Sequence, residues 1–184
     1  MHYIVCAFRA EARPLVDYFG LKREKTLPWP LYRGRGICLI VCGMGKDSAI
    51  AATAALLSRF PPAQTDILVN IGICAAPSQV PIGTLIQAST LHTTKQPIPL
   101  ATFPNVRAIP LQSVDSICKE ACDYAVDMEA YGIFTAARRF LPKAQIRFLK
   151  IVSDHFDPEA VDIHKVSKLI TNHLTQLETL LSYQ

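Results

Sequence analysis

Four stretches of this chain, residues 3–7, 37–42, 66–71 and 146–152, read as β-strands with little or no polar interruption. Successive side chains of a strand point to opposite faces, so a strand with one face in water alternates apolar and polar residues. A strand that is apolar throughout must be covered on both faces. Helical stretches lie between the strands. Residues 12–19 form a short one, with Pro14 in its first turn, and residues 46–60 are rich in Ala and stopped by Pro61-Pro62. A third begins around Glu129. A last amphipathic one carries Val166, Leu169, Ile170, Leu174, Leu177, Leu180 and Leu181 at helical spacing. Residues 28–32 and 37–42 make a hairpin through Gly34-Arg35-Gly36, and residues 83–88 a further strand. The stretch 92–110 carries Pro97, Pro99, Pro104 and Pro110 and reads as irregular. The pattern predicts an α/β fold: a three-layer sandwich with a mixed central β-sheet flanked by helices.

At 184 residues the chain fits one domain, residues 1–184, with neither linker nor internal repeat. Half of the residues are hydrophobic and the formal net charge is +4, which excludes a disordered chain. Lys and Arg occur singly or in short clusters, so nucleic acid is not the expected partner. No apolar run approaches the ~20 residues of a membrane span, and Arg9 and Glu11 interrupt the N-terminal apolar stretch before it can serve as a secretion signal. A cytoplasmic protein is expected. Cys6, Cys38, Cys42, Cys74, Cys118 and Cys122 lack common zinc spacing and read as buried free thiols rather than metal ligands.

In sheets of this kind the ligand site gathers outside the carboxyl ends of the strands. Three carboxylates follow strands directly: Glu11, Glu129 and Asp154. Each alone is explained by a helix N-terminus, where the macrodipole favours negative charge. Three at one sheet edge form a more specific pattern. Gly43-Met44-Gly45-Lys46 also follows a strand and precedes a helix. Asp47 stands where a P-loop needs Ser or Thr, and Ser48 where a dinucleotide fingerprint needs its third Gly. What remains is a turn whose N–H groups suit an anion or a ligand oxygen.

Taken in order, these pieces resemble the nucleoside phosphorylase and nucleosidase superfamily, nearest to its 5′-methylthioadenosine/S-adenosylhomocysteine nucleosidase branch. Ala7-Phe8-Arg9-Ala10-Glu11 resembles the segment ending in the water-activating Glu, and residues 42–46 the glycine turn before the second helix. Asn70-Ile71-Gly72-Ile73-Cys74-Ala75-Ala76 is similar to the Asn-Thr-Gly-Ser-Ala-Gly turn, and residues 81–86 to the strand after it. Val126-Asp127-Met128-Glu129-Ala130 resembles Val-Glu-Met-Glu-Ala, and residues 150–154 the strand ending in Ser-Asp.

The resemblance implies hydrolysis of the N-glycosidic bond of a purine nucleoside without metal or cofactor. Asp154 and Glu11 would be the catalytic residues, acting on the base N7 and on the attacking water. Glu129 would hold the ribose hydroxyls and Met128 would pack beneath the sugar. Ser153, Gly43, Gly72 and Lys150 would complete the substrate site. It also implies a homo-oligomer. A phosphorylase using phosphate, or a nucleoside-binding homologue without turnover, stays open beside the hydrolase. The departures are specific: Ile73 replaces the Ser that helps bind phosphate in the phosphorylases, and Lys150 replaces an Arg. The chain is also shortened between Leu91 and Ala125, where the family carries an aromatic against the base. Phe103, Ile109 and Tyr131 are the candidates for that place.

Overall fold

The structure, a computed structural model, describes residues 1–93 and 96–182. The first half runs β1 (His2–Cys6), α1 (Arg9–Phe19), β2 (Lys22–Glu24), β3 (Leu31–Gly34), β4 (Ile37–Val41), α2 (Lys46–Arg59) and β5 (Ile67–Ala75). The second half runs β6 (Leu85–His92), β7 (Ile98–Pro99), β8 (Arg107–Ser113), β9 (Ala125–Asp127), α3 (Ala130–Ala137), β10 (Ile146–Asp154), α4 (Ile163–Thr171) and α5 (Leu174–Ser182). Among the described residues no helix is long and apolar enough to cross a membrane.

The strands form one mixed sheet. β1 lies between β4 and β5 and is parallel to both; β3 and β2 continue antiparallel beyond β4. On the other side β5 runs parallel to β10 from Ile146 opposite Leu68 to Asp154 opposite Ala75. β10 pairs β6, β6 pairs β8 and β8 pairs β9. β9 returns to β5 through Ala75 opposite Val126, which closes five strands into a ring.

Two apolar cores explain the strands that lack alternation. Tyr3, Val5, Cys38 and Ile40 face one core with Ala49, Ala52 and Leu56 of α2 and Ile133 and Phe134 of α3. Ile4, Cys6, Leu39 and Val41 face the other, with Leu15 and Phe19 of α1, Ile170 of α4 and Leu177 of α5. Leu39 and Ile40, adjacent in sequence, are thus both fully buried on opposite faces. Each contributes about 1.5–3 kcal/mol by leaving water. The α/β fold with a mixed sheet flanked by helices is the one expected from the sequence.

Several elements differ from that expectation. The stretch 92–110 is not irregular throughout: it contains β7 and most of β8, while Thr94 and Lys95 lie outside the described residues. Pro110 sits in β8 where the ladder to β6 shifts register between Ala88 and Leu91, a place that does not require its missing N–H. The hairpin strand starts at Leu31 rather than at residue 28, since Pro28 and Pro30 have no N–H for a ladder. The short edge strand β2, Lys-Arg-Glu, has no apolar signal to betray it. The last helix is broken at Asn172 and His173 into α4 and α5, with the His173 ring 2.7 Å from the Gly83 carbonyl. Cys6, Cys38, Cys42 and Cys74 are buried free thiols, whereas Cys118 and Cys122, before β9, are only half-buried.

Candidate active site

Glu11 occupies the first turn of α1, straight after β1, and is 1% exposed. Its Oε2 accepts hydrogen bonds from the backbone N–H of Ala7 (2.8 Å) and of Phe8 (2.9 Å). Its Oε1 accepts one from Ile73 N–H of β5 at 2.9 Å. Two bonds saturate Oε2, whereas Oε1 keeps one lone pair open. This approach requires Gly72, because a Cβ there would stand 2.7 Å from Oε1. Burial raises the Glu11 carboxyl above its ordinary pKa, against the opposing pull of Lys150 and the three backbone donors.

Glu129 is tied to the turn after β4. Its Oε1 accepts from Gly45 N–H at 2.7 Å. Gly45 has φ +91, a left-handed conformation that aims this N–H across the sheet edge and that side chains other than glycine's resist. Burial first, and the neighbouring Asp127 second, push the Glu129 carboxyl up to about 7.

Beneath these two carboxylates lies Lys150 of β10, 2% exposed, opposite Gly72 in the ladder. Its Nζ is 2.7 Å from Asp127 Oδ2, and both side chains are almost wholly out of water. Burial works against the ammonium, but Asp127, Glu129 and Glu11 outweigh it and raise its pKa. Asp127 Oδ2 also accepts from Ala130 N–H at 2.9 Å, which fastens the start of α3 to the pair. The centre is therefore a buried Lys150–Asp127 ion pair, with Glu129 and Glu11 near enough to favour the ammonium further.

Asp154 ends β10 and is 6% exposed. Its Oδ1 accepts from Asp157 N–H at 3.0 Å. The Ser153 hydroxyl has two acceptors in reach, Asp154 Oδ2 at 2.6 Å and the Cys74 carbonyl at 3.0 Å, for its one proton. Beside Asp154 a cavity of about 210 Å³ is walled by residues 77–79, 121–123 and 155–156. A second, apolar cavity of about 180 Å³ lies beside Glu11, against Phe8, Ile73, Val161, Ile163 and Val166.

No protein-family model matches the chain. A 5′-methylthioadenosine nucleosidase of Arabidopsis thaliana is 31% identical over 136 residues, which is 63% of this chain and 51% of that protein. The chain thus spans about half the length of the curated relative it matches. Among solved structures, the apo form of the Arabidopsis thaliana 5′-methylthioadenosine nucleosidase superposes with a TM-score of 0.82. The identity is 22%, over 100% of this chain and 96% of that one. The 5′-methylthioadenosine/S-adenosylhomocysteine nucleosidase of Helicobacter pylori with butyl-thio-DADMe-Immucillin-A gives 0.80 at 16% identity, over 100% and 98%. The chain has the methylthioadenosine/adenosylhomocysteine nucleosidase fold.

Within that nucleosidase fold, β1, β5, β9 and β10 bring Glu11, Gly72, Glu129, Lys150, Ser153 and Asp154 to one edge of the sheet. Gly43 joins them from the turn after β4, its N–H donating to Ala7 O at 3.1 Å, and Met128 stands half-buried between Asp127 and Glu129. Lys150 is turned inward onto Asp127, and the Ser153 hydroxyl onto protein acceptors. Asp127 is the residue that sequence reasoning left without a role. Its signal was available: an acid two residues before Glu129, with a Lys flanked on both sides by apolar residues in the middle of β10. Of the candidate aromatics, Phe103 packs in the core under the Arg147 guanidinium, 4.8 Å from its ring centre, and bonds through its N–H to Gln87. Ile109 and Tyr131 are half-buried against the α2–α3 core.

Proposed function

We propose that the chain cleaves the N-glycosidic bond of purine nucleosides by attack of water, with methylthioadenosine- or adenosylhomocysteine-like nucleosides as substrates. The observation that carries this reading is the meeting of Glu11, Glu129 and Asp154 around the Gly72–Ala75 end of β5. The open lone pair of Glu11 Oε1 orients a water toward C1′ and takes its proton. As the C1′–N9 bond breaks, its electron pair goes to the base, and Asp154 donates a proton at N7. The water oxygen forms the new bond to C1′, leaving free purine and the free sugar.

The Ser153 hydroxyl supports the role of Asp154. When it turns to the Cys74 carbonyl, Oδ2 is released to carry the transferred proton. Glu129, as carboxylate, accepts from the ribose hydroxyls and stabilises the positive charge that grows on the ring. Met128 lines the sugar, and the cavity bounded by residues 121–123 and 155–156 takes the base. The buried Lys150 is paired to Asp127 and so presents no free cation to phosphate. That arrangement, with Ile73 in place of a hydroxyl, favours water over phosphate as the nucleophile.

Base release followed by chromatography tests the assignment. Asp154→Asn is expected to lower kcat by about 10²–10⁴-fold with the fold retained, the scale of a general acid. Near wild-type turnover in that variant would remove Asp154 from the mechanism.

A further inference from the structure

Cys118 and Cys122 stand apart from the other four cysteines. Cys6, Cys38, Cys42 and Cys74 are buried, whereas these two are half-buried in the connection between β8 and β9. Burial also pushes the Cys38 thiol up to about 11 and the Cys42 and Cys74 thiols up to about 12, so little thiolate forms there. The accessible sulfur of the chain is therefore concentrated in one loop. Cys122 lines the cavity of about 210 Å³ beside Asp154, together with Ala121, Asp123 and His155.

That loop is lightly held. Among the described residues no backbone–backbone hydrogen bond fastens residues 115–123. The thiols bond only within their own segment, Cys118 Sγ to the Glu120 carbonyl at 3.3 Å and Cys122 Sγ to the Tyr124 carbonyl at 3.6 Å. Its outer anchors are the ion pairs Lys46–Asp115 at 2.6 Å and Lys119–Glu159 at 2.9 Å, both in solvent, where such pairs hold weakly. Fully extended, the step from Cys118 to Cys122 would cover about 13 Å. The chain instead bends at Glu120, midway between them. A disulfide needs the two Cα atoms within about 4.4–6.8 Å, a closure reached by tightening this bend.

We propose that Cys118 and Cys122 form a reversible dithiol–disulfide site, modified by small-molecule disulfides, whose oxidation distorts the cavity beside Asp154. Closing the bond draws Cys122 out of the cavity wall. The loss of base binding that follows rests on the nucleosidase reading; the sulfur chemistry does not. Cys122 gives its proton to solvent, and its thiolate attacks one sulfur of the small disulfide. A new S–S bond forms, the old one breaks, and the departing thiolate takes up a proton. The Cys118 thiolate then attacks Cys122 Sγ and displaces the second small thiol. Two protein thiols are oxidised and one disulfide is reduced to two thiols. A ring this short gains little from chain entropy, so a reducing thiol reverses it readily.

The test is incubation with excess glutathione disulfide, alkylation of the remaining thiols in denaturant, trypsin digestion and mass spectrometry. Trypsin cuts after Lys119, between the two cysteines, so the disulfide is read as two linked peptides. Wild type is expected to give that linked pair, with the other four cysteines alkylated. Its release of base from a 5′-thio-substituted adenosine should be lost on oxidation and restored by dithiothreitol. Cys118→Ser should release base as reduced wild type does before oxidation. After oxidation it should show no link and a single glutathione on Cys122. Wild type in which both cysteines stay free, or carry only separate glutathione adducts, would overturn the dithiol site. A linked pair with unchanged base release would overturn its effect on the cavity. If even the reduced protein releases no base, the nucleosidase reading has failed. The linked peptides then decide the dithiol site alone, their presence supporting it and their absence overturning it.

Discussion

Glu129 is the residue whose ionisation most directly couples the site to the stability of the fold. Its carboxyl is raised from an ordinary value of 4.5 to about 7, chiefly by burial. The folded chain thus binds this proton more tightly than the unfolded chain does. The stabilisation is complete below about pH 4.5 and is lost as pH rises through about 7. Glu129→Gln removes that titration. Urea midpoints taken at about pH 5 and about pH 8 should therefore fall less in the variant than in wild type. Parallel losses would place the pH dependence elsewhere. Gly72 carries a second residue-scale expectation. An Ala there meets Glu11 Oε1 at 2.7 Å, so the carboxylate must move. Gly72→Ala should destabilise by about 1–3 kcal/mol. It should also lower the rate of base release by about 10²-fold, the usual consequence of misplacing a reacting group by about 1 Å. Unchanged activity would mean that the position of Glu11 does not matter.

Between elements, the Lys150–Asp127 pair joins β10 to the β9–α3 turn across the closed strand ring. Removing one partner strands a charge in a dry interior, so Lys150→Met or Asp127→Leu should each lose about 3–5 kcal/mol. Lys150→Met/Asp127→Leu, which removes both charges, should lose less than the sum of the single losses in a urea double-mutant cycle. Additive losses would show the two groups to be independent. Legibility from sequence differed from element to element for physical reasons. β1, β4, β5 and β10 announced themselves because both their faces are buried. β2 has no buried face, and β8 is disguised by Pro110, which is tolerated only because the neighbouring ladder slips there. The break between α4 and α5 leaves the helical spacing of apolar residues intact, so periodicity alone could not find it. At the site, Glu11, Glu129 and Asp154 were legible as polar residues placed straight after buried strands. Asp127 was not, because its importance lies in a partner 23 positions away in sequence.

At the scale of the whole molecule, the nucleosidase fold is spanned from end to end despite identities of 22% and 16% to solved structures. What persists at that distance is the fold, a mixed sheet covered on both faces by helices. Residues 121–123 wall the cavity beside Asp154, and Phe103, which the sequence offered for the base, belongs to the core. The proposed chemistry needs only water as co-substrate, and it is most directly tested by the initial rate of free-base release from 5′-thio-substituted adenosines in phosphate-free buffer. Release at the same rate with and without added phosphate is the expected result. Release that begins only when phosphate is added, or thermal stabilisation by the nucleosides with no release at all, would contradict it.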